Sequence, residues 1–309
     1  MAFFDFIKNL FTGKKDQTNK NSISAENPKL LEAVKSLVKN QITLVPGTTD
    51  KVKHPYSSKI GGKPYLPSHF VWPTYTSYDD GVERPLSFFC QIDIGDIKHL
   101  DKDGLLPCRG MLYFFYECES SVWGFDPKDD GAARVFWYDT TDELSMISFD
   151  IPTSIAQEFV IPEIPLKFKM EKSYPYFEEF EFFSDVESDF DEYDEVLAKL
   201  GVDIDADEYA HKLLGYADII QNEMLTECER TSRGLYCGDS ESYQNTPPDV
   251  EDDINKHASD WVLLLQLSTI EKDDFEFMFG DCGILYFYIK KEDLAAMRFD
   301  KVRFCLQCG

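Results

Sequence analysis

One glycine-rich segment, residues 59–64, has part of the composition of a phosphate-binding loop. Such a loop needs a glycine five residues before its Gly-Lys pair and a serine or threonine after the lysine. Those positions hold Ser57 and Pro64, and a proline lacks the N–H group that would bind phosphate. We therefore interpret Gly61 and Gly62 as a tight turn, with close approach of the backbone to a small ligand as the alternative.

An aspartate-rich segment begins like a calcium-binding loop, with Asp203, Asp205 and Asp207 at alternate positions. The sixth position of the loop is Glu208 instead of glycine, and the twelfth is Leu214 instead of glutamate. Without the sharp turn and the bidentate ligand, specific calcium binding is not expected. We interpret these aspartates as a solvated, helix-capping run.

The remaining sequence lacks the usual signatures of catalysis. Cys305-x-x-Cys308 has no second cysteine pair at zinc-site spacing, and the five histidines are scattered along the chain. There is also no G-x-S-x-G nucleophile motif. We expect no catalytic residue, no metal site and no cofactor, and the chain is more consistent with a binding protein than with an enzyme.

Two other places carry residue types that suit ligand binding. Trp123 and Arg134 flank the polar turn at residues 126–131, which predicts an aromatic and cationic patch for a ligand or partner. Ordinary packing is the alternative for both. Asp281 lies in a glycine-containing turn between apolar stretches, where its simplest role is a hydrogen bond to its own backbone.

The densest negative charge lies in a phenylalanine-rich segment that contains no lysine or arginine between Lys172 and Lys199. A mixed acidic and aromatic segment suits a basic, partly apolar partner surface. The alternative is a loop whose phenylalanines pack onto the rest of the protein. The candidate partner-binding residues are Glu178, Glu179, Glu181, Asp185, Glu187, Asp189 and Asp191.

The composition excludes one large class of partner. The 309 residues include 57 acidic and 31 basic residues, which give a formal net charge of −26. Nucleic-acid affinity comes largely from lysine and arginine, so we expect no nucleic-acid binding. A strongly negative surface attracts basic proteins, or simply keeps a protein soluble and monomeric.

The sequence also predicts a location. No apolar run approaches the roughly 20 residues of a spanning helix, and no secretory signal is visible. Eight cysteines are too sparse for a disulfide scaffold, so we expect a cytoplasmic protein with reduced thiols. Residues 2–11 have an apolar helical face that suits membrane contact, but the negative charge of the chain favours docking on the protein itself.

Hydrophobic periodicity and turn residues predict a mixed fold. The expected helices span residues 28–39, 192–200, 206–214 and 292–297. The expected strands span residues 42–45, 86–93, 110–117, 134–138, 159–170, 262–268, 284–289 and 301–306. The prolines within residues 159–170 indicate an edge or bent strand, and residues 222–260 are expected to form a polar, turn-rich excursion.

The two halves of the sequence resemble each other. PLSFFCQID (85–93) parallels DWVLLLQLS (260–268), and GMLYFFYE (110–117) parallels GILYFYIK (283–290). This alignment places Gln91 opposite Gln266, each inside an apolar strand. A buried amide needs hydrogen-bond partners, so each glutamine either binds neighbouring backbone or faces a ligand cleft shared by the halves.

These repeated segments, together with SSKIGGKPYLP and FGDCGILYFYIKKEDLAAMRFDKV, resemble the YwqG-like family of bacterial proteins of unknown function. The resemblance runs from about residue 28 to the C-terminus. It implies an internally duplicated α+β fold of two similar, intertwined halves, each with mainly antiparallel sheet and helices packed on the outside. It implies no established activity and no catalytic residues.

We expect four regions: an amphipathic segment and linker (1–26), the first half (27–170), an acidic insertion (171–205) and the second half (206–309). The function that we favour is a non-catalytic interaction protein whose acidic face binds a basic protein, for example as an immunity protein against a basic toxin. The alternative is a small-ligand receptor or enzyme with a cleft near Gly61, Gly62, Gln91 and Gln266.

Overall fold

A computed structural model describes residues 27–47, 52–120, 122–139, 145–203 and 209–309. The expected amphipathic segment at residues 2–11, and Asp205 and Asp207 of the calcium-like run, lie outside these residues. No helix in the described ranges has the length and apolarity that crossing a bilayer requires.

A single ten-stranded sheet dominates the described structure. Every strand ladder in the described part of the chain is antiparallel. The strands are β1 Lys39–Pro46, β2 Lys59–Ile60, β3 Tyr65–Pro67, β4 Thr74–Thr76, β5 Glu83–Pro85, β6 Ser87–Asp93, β7 Met111–Tyr116, β8 Ala133–Tyr138, β9 Met146–Ser148, β10 Ile164–Ser173, β11 His211–Leu213, β12 Trp261–Leu267, β13 Ile270–Lys272, β14 Phe275–Phe277, β15 Ile284–Lys290 and β16 Arg303–Gln307. The order in the large sheet is β16-β15-β12-β11-β1-β10-β2-β6-β7-β8.

Eight α-helices are found in the described residues, so the α+β class and the mainly antiparallel sheet are confirmed. They are α1 Pro28–Ser36, α2 Ile94–Ile97, α3 Phe177–Phe183, α4 Phe190–Lys199, α5 Leu225–Ser232, α6 Ser240–Gln244, α7 Pro248–Ala258 and α8 Lys291–Ala295. The start of α1 follows the prediction, because Asn27 accepts a hydrogen bond from the Leu30 amide (3.1 Å) and Pro28 opens the first turn.

The sheet is curved, and its two edge strands come close to each other. The Leu306 amide of β16 donates to the Trp123 carbonyl (2.9 Å), in the segment that leads to β8. Arg303 of β16 binds Asp130 in the same segment (3.0 Å). We call this junction, residues 122–131 with 302–306, the seam.

The concave face of the sheet encloses the main core. Phe114 of β7 packs edge-on against Phe287 of β15, with ring centroids 5.3 Å apart, although the two strands are far apart in the sheet order. Tyr116 similarly meets Phe304. All side chains in β7 and β12 are buried, because both faces of these interior strands are covered, which explains their continuous apolar runs.

A second group of contacts holds the acidic insertion to the protein. Phe180 of α3 is completely buried, and its ring lies 4.8 Å from the ring of Tyr193 in α4. Leu30 and Val34 of α1 belong to the same cluster. The insertion therefore contains a folded helical pair, with its own small core against α1.

Three sequence predictions about secondary structure are wrong. The helix expected at 206–214 is excluded at its C-terminal end, where His211–Leu213 forms β11 between β1 and β12. Residues 222–260 contain the helices α5, α6 and α7 instead of an irregular excursion. The strand expected from residue 159 begins at Ile164, and its place in the middle of the sheet order excludes the edge position and leaves a bent strand as the alternative. Three residues of β11 carry too little local signal, because neighbouring strands define it.

We predict that Phe180→Ala will lower the free energy of unfolding by about 3–5 kcal/mol, because it leaves a cavity in the α1–α3–α4 core. Phe190→Ala is the matched control: this ring is 56% exposed in the same insertion, so its loss should cost less than about 1 kcal/mol. Urea unfolding measures both changes. Equal effects would contradict the packing of α3 described here.

Candidate functional site

Gln91 is completely buried in β6, and its side-chain amide group makes hydrogen bonds with the backbone of one loop. Its Oε1 accepts a hydrogen bond from the Tyr65 amide (2.9 Å). Its Nε2 donates to the carbonyls of Pro55 (2.7 Å) and Ser57 (2.8 Å). Both N–H groups are therefore occupied, and the side chain ties the loop at residues 55–65 to the sheet.

Gln266 has a similar environment in β12, where it is also completely buried. Its Oε1 accepts from the Asp218 amide (2.8 Å). Its Nε2 donates to the Ala210 carbonyl (2.8 Å) and to Asp218 Oδ2 (2.6 Å). A ligand could reach either glutamine only by displacing these hydrogen bonds. The geometry therefore favours the interpretation in which each amide group binds neighbouring residues of the same protein.

Each glutamine is paired across the sheet with a tyrosine, Tyr113 in β7 and Tyr286 in β15. The Tyr113 hydroxyl donates to the Tyr65 carbonyl, and the Tyr286 hydroxyl donates to the Asp218 carbonyl. These carbonyls belong to the same two residues whose amides the glutamines bind. A glutamine and a tyrosine thus fix one loop residue from both sides, twice in the molecule.

The loop in each place contains a left-handed turn. Gly61 and Gly62 have φ values of +59° and +68°, and Leu214 and Gly215 have +61° and +77°. A Cβ atom on Gly61 would lie 2.3 Å from the Pro162 carbonyl oxygen. The close approach that this glycine permits is therefore to the protein's own backbone, which favours the turn interpretation over a ligand contact.

Two buried lysines accompany these turns, and sequence patterns did not single them out. Lys59 is 2% exposed, and its Nζ donates to the Lys63 carbonyl (2.8 Å) and to Glu163 (2.7 Å). Lys212 is 3% exposed and binds Asp218 (2.5 Å). Both ammonium groups are neutralised by an adjacent carboxylate, which satisfies buried charge but leaves no free cation for a substrate.

Trp123 lies in the seam, and Arg134 lies beside it at the start of β8. Trp123 is half-buried against the main core, and its carbonyl accepts from Leu306. The Arg134 guanidinium lies 4.0 Å from Asp130, the carboxylate that Arg303 also binds. The patch therefore lies at the junction of the two sheet edges, with its cations already paired to Asp130.

A small cavity opens at the seam between the turn at residues 124–131 and the segment at residues 302–304. Ala133 and Thr231 complete its walls. Its volume is about 10 Å³, which is about the room that one water molecule needs. The sequence predicted a ligand-binding patch at Trp123 and Arg134, beside this cavity, but it did not predict the cavity itself.

Asp129 is the most unusual group in the cavity wall. Its side chain is 2% exposed, and Oδ2 accepts from the amides of Gly124 (2.9 Å) and Asp126 (3.4 Å). Oδ1 is buried, and the nearby Tyr78 hydroxyl lowers the pKa of the carboxyl group. Burial is the larger effect and raises the pKa of Asp129 to about 6.

Asp281 is exposed in the turn before β15, and its backbone carbonyl accepts from Gly309. The structure thus distributes the predicted ligand-binding residues over four places. Gly61 and Gly62 lie in the loop that Gln91 binds, Gln266 binds a different loop, Trp123 lies in the seam with Arg134 beside it, and Asp281 lies in this turn. Among the described residues, no hydrogen bond or ion pair joins one place to another.

The acidic insertion presents most of its predicted carboxylates to solvent. Its two helices are short, and Asp189 caps the second by accepting from the Glu192 amide (2.9 Å). Phe190, beside that cap, is the exposed ring noted above, and it packs edge-on against Phe177. The exposed carboxylates among the predicted partner-binding residues are Glu178, Glu181, Asp185, Glu187, Asp189 and Asp191. We call these six residues with Phe190 the acidic surface.

Glu179 is not part of the acidic surface, because its side chain points into the protein and is 3% exposed. Burial raises the pKa of its carboxyl group, and burial lowers the pKa of Lys39, the nearest opposite charge. The Lys39 ammonium also lies 3.6 Å from the centre of the Tyr216 ring. Sequence reasoning grouped Glu179 with its exposed neighbours, because adjacent acidic residues look alike without a packed neighbour.

A buried ion cluster anchors α5 to the sheet, and it was not anticipated from the sequence. Glu229 accepts hydrogen bonds from Trp261 Nε1 (2.8 Å) and from Arg233 Nε (2.7 Å), and it forms an ion pair with Lys290 (2.7 Å). Burial alone would raise the pKa of Glu229, but these three partners lower it. Both oxygens are occupied, so the cluster is a structural link and not a free acid or base.

The structure offers no alternative chemistry at the cysteines. All eight are free thiols, and Cys305 lies with its Sγ 3.8 Å from Cys228 Sγ in the interior, away from solvent. Within the residues that the structure describes, no group of three or more histidine, cysteine, aspartate or glutamate side chains could hold a metal ion.

We predict that Gln91→Ala and Gln266→Ala will each lower the free energy of unfolding by about 1–3 kcal/mol, because each leaves buried backbone groups without partners. The two effects should be similar, since the two amides make three bonds each. Gln221→Ala, which removes one exposed bond, is the control in urea unfolding. Neutral effects at both glutamines would show that the amides do not anchor their loops.

We also predict that Asp129→Asn will raise the free energy of unfolding by an amount that depends on pH. A raised carboxyl pKa means that the folded state disfavours the ionised form, so the cost is present above the folded pKa and disappears below the unfolded one. Relative to the variant, the wild type should therefore lose about 1 kcal/mol between pH 5 and pH 7.5. Urea unfolding at both pH values measures this, and Asp252→Asn, an exposed change in α7, is the control. A constant difference would contradict the burial effect.

Comparison with known proteins identifies a family without assigning an activity. No curated protein was found to match the chain. Residues 58–308 match a family described as a domain of unknown function, DUF1963. This segment includes both glutamine-bearing strands, both left-handed turns, the seam and the acidic insertion. The chain belongs to the DUF1963 family.

Proposed function

We propose that this protein is a non-catalytic interaction protein that binds a basic, partly apolar protein through the acidic surface. The observation that carries the proposal is the exposure of six carboxylates around the exposed Phe190 ring, in a segment without any lysine or arginine. An exposed aromatic ring supplies an apolar anchor, and surrounding charges of one sign speed association with an oppositely charged partner.

The acidic surface lies on two packed helices and on the short segment between them, and this favours recognition over a purely solvating role. Phe180 and Tyr193 hold α3 and α4 against α1, so the charges project from a fixed scaffold. A rigid array loses less conformational entropy on binding than a charged tail does. Solubility alone would not require this packing.

The kind of partner follows from the same charges. A protein whose own ligand is nucleic acid carries a cationic surface, and fixed carboxylates can occupy that surface in place of phosphates. An immunity protein that neutralises a basic, nucleic-acid-attacking toxin is one concrete case. We propose that the protein acts as a monomer in the cytoplasm, where its net charge of −26 keeps it soluble.

We infer that the scaffold arose by internal duplication, with one half at 27–170, the acidic insertion at 171–205 and the other half at 206–309. The strand order supports this, because β2-β6-β7-β8 on one side mirrors β11-β12-β15-β16 on the other. The first pair of long hairpin strands has an irregularity between Phe88 and Cys90, and the second has one between Leu263 and Leu265.

The halves are also intertwined in this interpretation. β1 comes from the N-terminal half and pairs with β11 of the C-terminal half, whereas β10, most of which lies within residues 27–170, pairs with β2 of its own half. β1 and β10 then pair with each other in antiparallel fashion at the centre of the sheet. The paired glutamine and tyrosine anchors and the two left-handed turns add to the support, as does the resemblance to the YwqG-like family.

The alternative is a small-ligand receptor or an enzyme with a cleft between the halves. The amide groups of Gln91 and Gln266 already make hydrogen bonds within the protein, which argues against a ligand cleft at those residues. The cavity at the seam supports a different location, because its walls come from residues 124–133 on one side and from residues 231 and 302–304 on the other. No arrangement of groups at the seam favours a particular reaction.

The test of the proposal is a binding experiment with the full chain as bait in extracts of its native cell. We expect a basic protein that is retained at about 50 mM salt and released above about 0.5 M, because surface charges are screened at high ionic strength. The test variant carries Glu178→Gln, Glu181→Gln, Asp185→Asn, Glu187→Gln, Asp189→Asn and Asp191→Asn, and it should lose the identified protein.

The control variant neutralises six exposed carboxylates elsewhere, so that both variants have the same net charge. Its positions are Asp252, Asp260, Glu271, Asp274, Glu276 and Asp300. It should keep the partner, and Phe190→Ala should weaken binding by about tenfold through loss of the apolar anchor. Equal loss of partner binding by both six-site variants would show that binding depends only on the overall charge and not on the acidic surface. Partner binding that persists in the test variant would overturn the proposal.

A further inference from the structure

The helical pair of the acidic insertion leaves a row of apolar side chains incompletely covered. Phe190 of α4 is 56% exposed, and its ring packs edge-on against Phe177 of α3, with ring centroids 5.8 Å apart. Phe177 and Val186 pack on the α1–α3–α4 core but are only half-buried, and so is Leu31 of α1. We call Leu31, Phe177, Val186 and Phe190 the apolar edge. Covering such side chains with another apolar surface is favourable, because it removes them from water.

The chain enters the described structure next to this edge. Leu30, in the first turn of α1, is completely buried in the same core, so Asn27 lies about one helical turn away from it. The 14 residues from 13 to 26 can span up to about 45 Å, whereas α1 and α4 are each only about 15 Å long. Residues 2–11 can therefore reach the apolar edge of their own molecule.

The composition of residues 1–26 complements the insertion. This segment has four lysines and three acidic residues, a net charge of +1, so the other residues of the chain carry −27. The spacing of its apolar residues predicts one apolar helical face within residues 2–11, made of Phe3, Phe4, Ile7, Leu10 and Phe11. Charge alone would favour contact with any part of this acidic protein. The half-covered apolar edge and the short distance from Asn27 favour the insertion.

A weak contact is sufficient when both surfaces belong to one chain. A short linker holds an attached segment at an effective concentration on the order of 1 mM. A contact with a Kd of about 0.1 mM between separate molecules is then about nine-tenths occupied within one molecule.

We propose that residues 2–11 form an amphipathic helix that packs on the apolar edge of the same molecule, with Lys14 and Lys15 next to the carboxylates of the acidic surface. The docked segment covers Phe190, the apolar anchor for a basic partner, so that partner has to displace it. This regulation of partner binding rests on the function proposed above, whereas the docking itself does not.

The test is zero-length cross-linking of the full chain with a water-soluble carbodiimide, which joins a lysine Nζ to a carboxylate in contact with it, followed by mass spectrometry. We expect Lys14 and Lys15 to be joined mainly to carboxylates of the acidic surface. Phe4→Ser combined with Ile7→Ser should lower the yield of these cross-links at least fivefold without changing the charge. The matched control, Asn9→Ser combined with Thr12→Ser on the opposite helical face, should leave the yield unchanged.

A second pair of variants tests the surface that receives the segment. Phe190→Ala should lower the same cross-link yield at least threefold, and Val71→Ala, at a residue that is 82% exposed in the first half, should not. Cross-links spread evenly over distant exposed carboxylates such as Asp252 and Asp300 would overturn the proposal. A yield that the Phe4→Ser and Ile7→Ser variant does not change would also overturn it.

Two other occupants or destinations are outcomes of the same test. In a mixture of ¹⁵N-labelled and unlabelled protein, cross-links that join one label to the other would show that a second copy supplies the segment. Flotation of the full chain with phosphatidylcholine vesicles that contain phosphatidylserine, lost in the Phe4→Ser and Ile7→Ser variant, would assign residues 2–11 to a lipid surface. Either result would overturn docking within one molecule.

Partner binding separates this proposal from the function on which its regulatory part rests. A basic protein retained by the acidic surface should bind the Phe4→Ser and Ile7→Ser variant about tenfold more tightly than the wild type, since nine-tenths occupancy is removed. Equal affinity would overturn the regulation. Specific cross-links without any partner would refute the proposed function and support the docking, and a retained partner without specific cross-links would do the reverse.

Discussion

The concave face of the curved sheet is the surface on which the rest of this structure depends. Phe114 and Phe287 meet at its centre, so the apolar face of β7 is buried by β15 and the reverse is also true. The strands on one side of the sheet could not bury their apolar face without the strands on the other side, because that face has no other partner. The curvature that closes this face also brings the edge strands together and forms the seam.

The polar anchors follow from that burial. Interior strands covered on both faces leave no solvent for polar groups, so a glutamine inside such a strand must bind nearby groups of the protein. Gln91 and Gln266 meet this requirement by holding the loops that cross the outer face. The same requirement explains why buried Lys59 and Lys212 each have an adjacent carboxylate.

Surface chemistry is distributed unevenly over this scaffold. The acidic surface has exposed carboxylates on two packed helices and the segment between them, whereas at the seam Asp130 is paired with Arg303 and Asp129 is buried. Long-range attraction suits the first arrangement, and the second holds the two edges of the sheet together. A family without an assigned activity is consistent with both, since neither place contains the matched acid, base or nucleophile of a catalytic site.

The sequence by itself determined the long strands, the first helix, the excess of negative charge and the importance of the two glutamines. These features depend on local periodicity, caps and composition, which act over a few residues. It could not determine β11, because a strand of three residues exists only between longer neighbours. It also could not separate buried Glu179 from the exposed Glu178, or single out Asp129. Burial and missing hydrogen-bond partners arise when distant segments meet, so only the tertiary structure decided them.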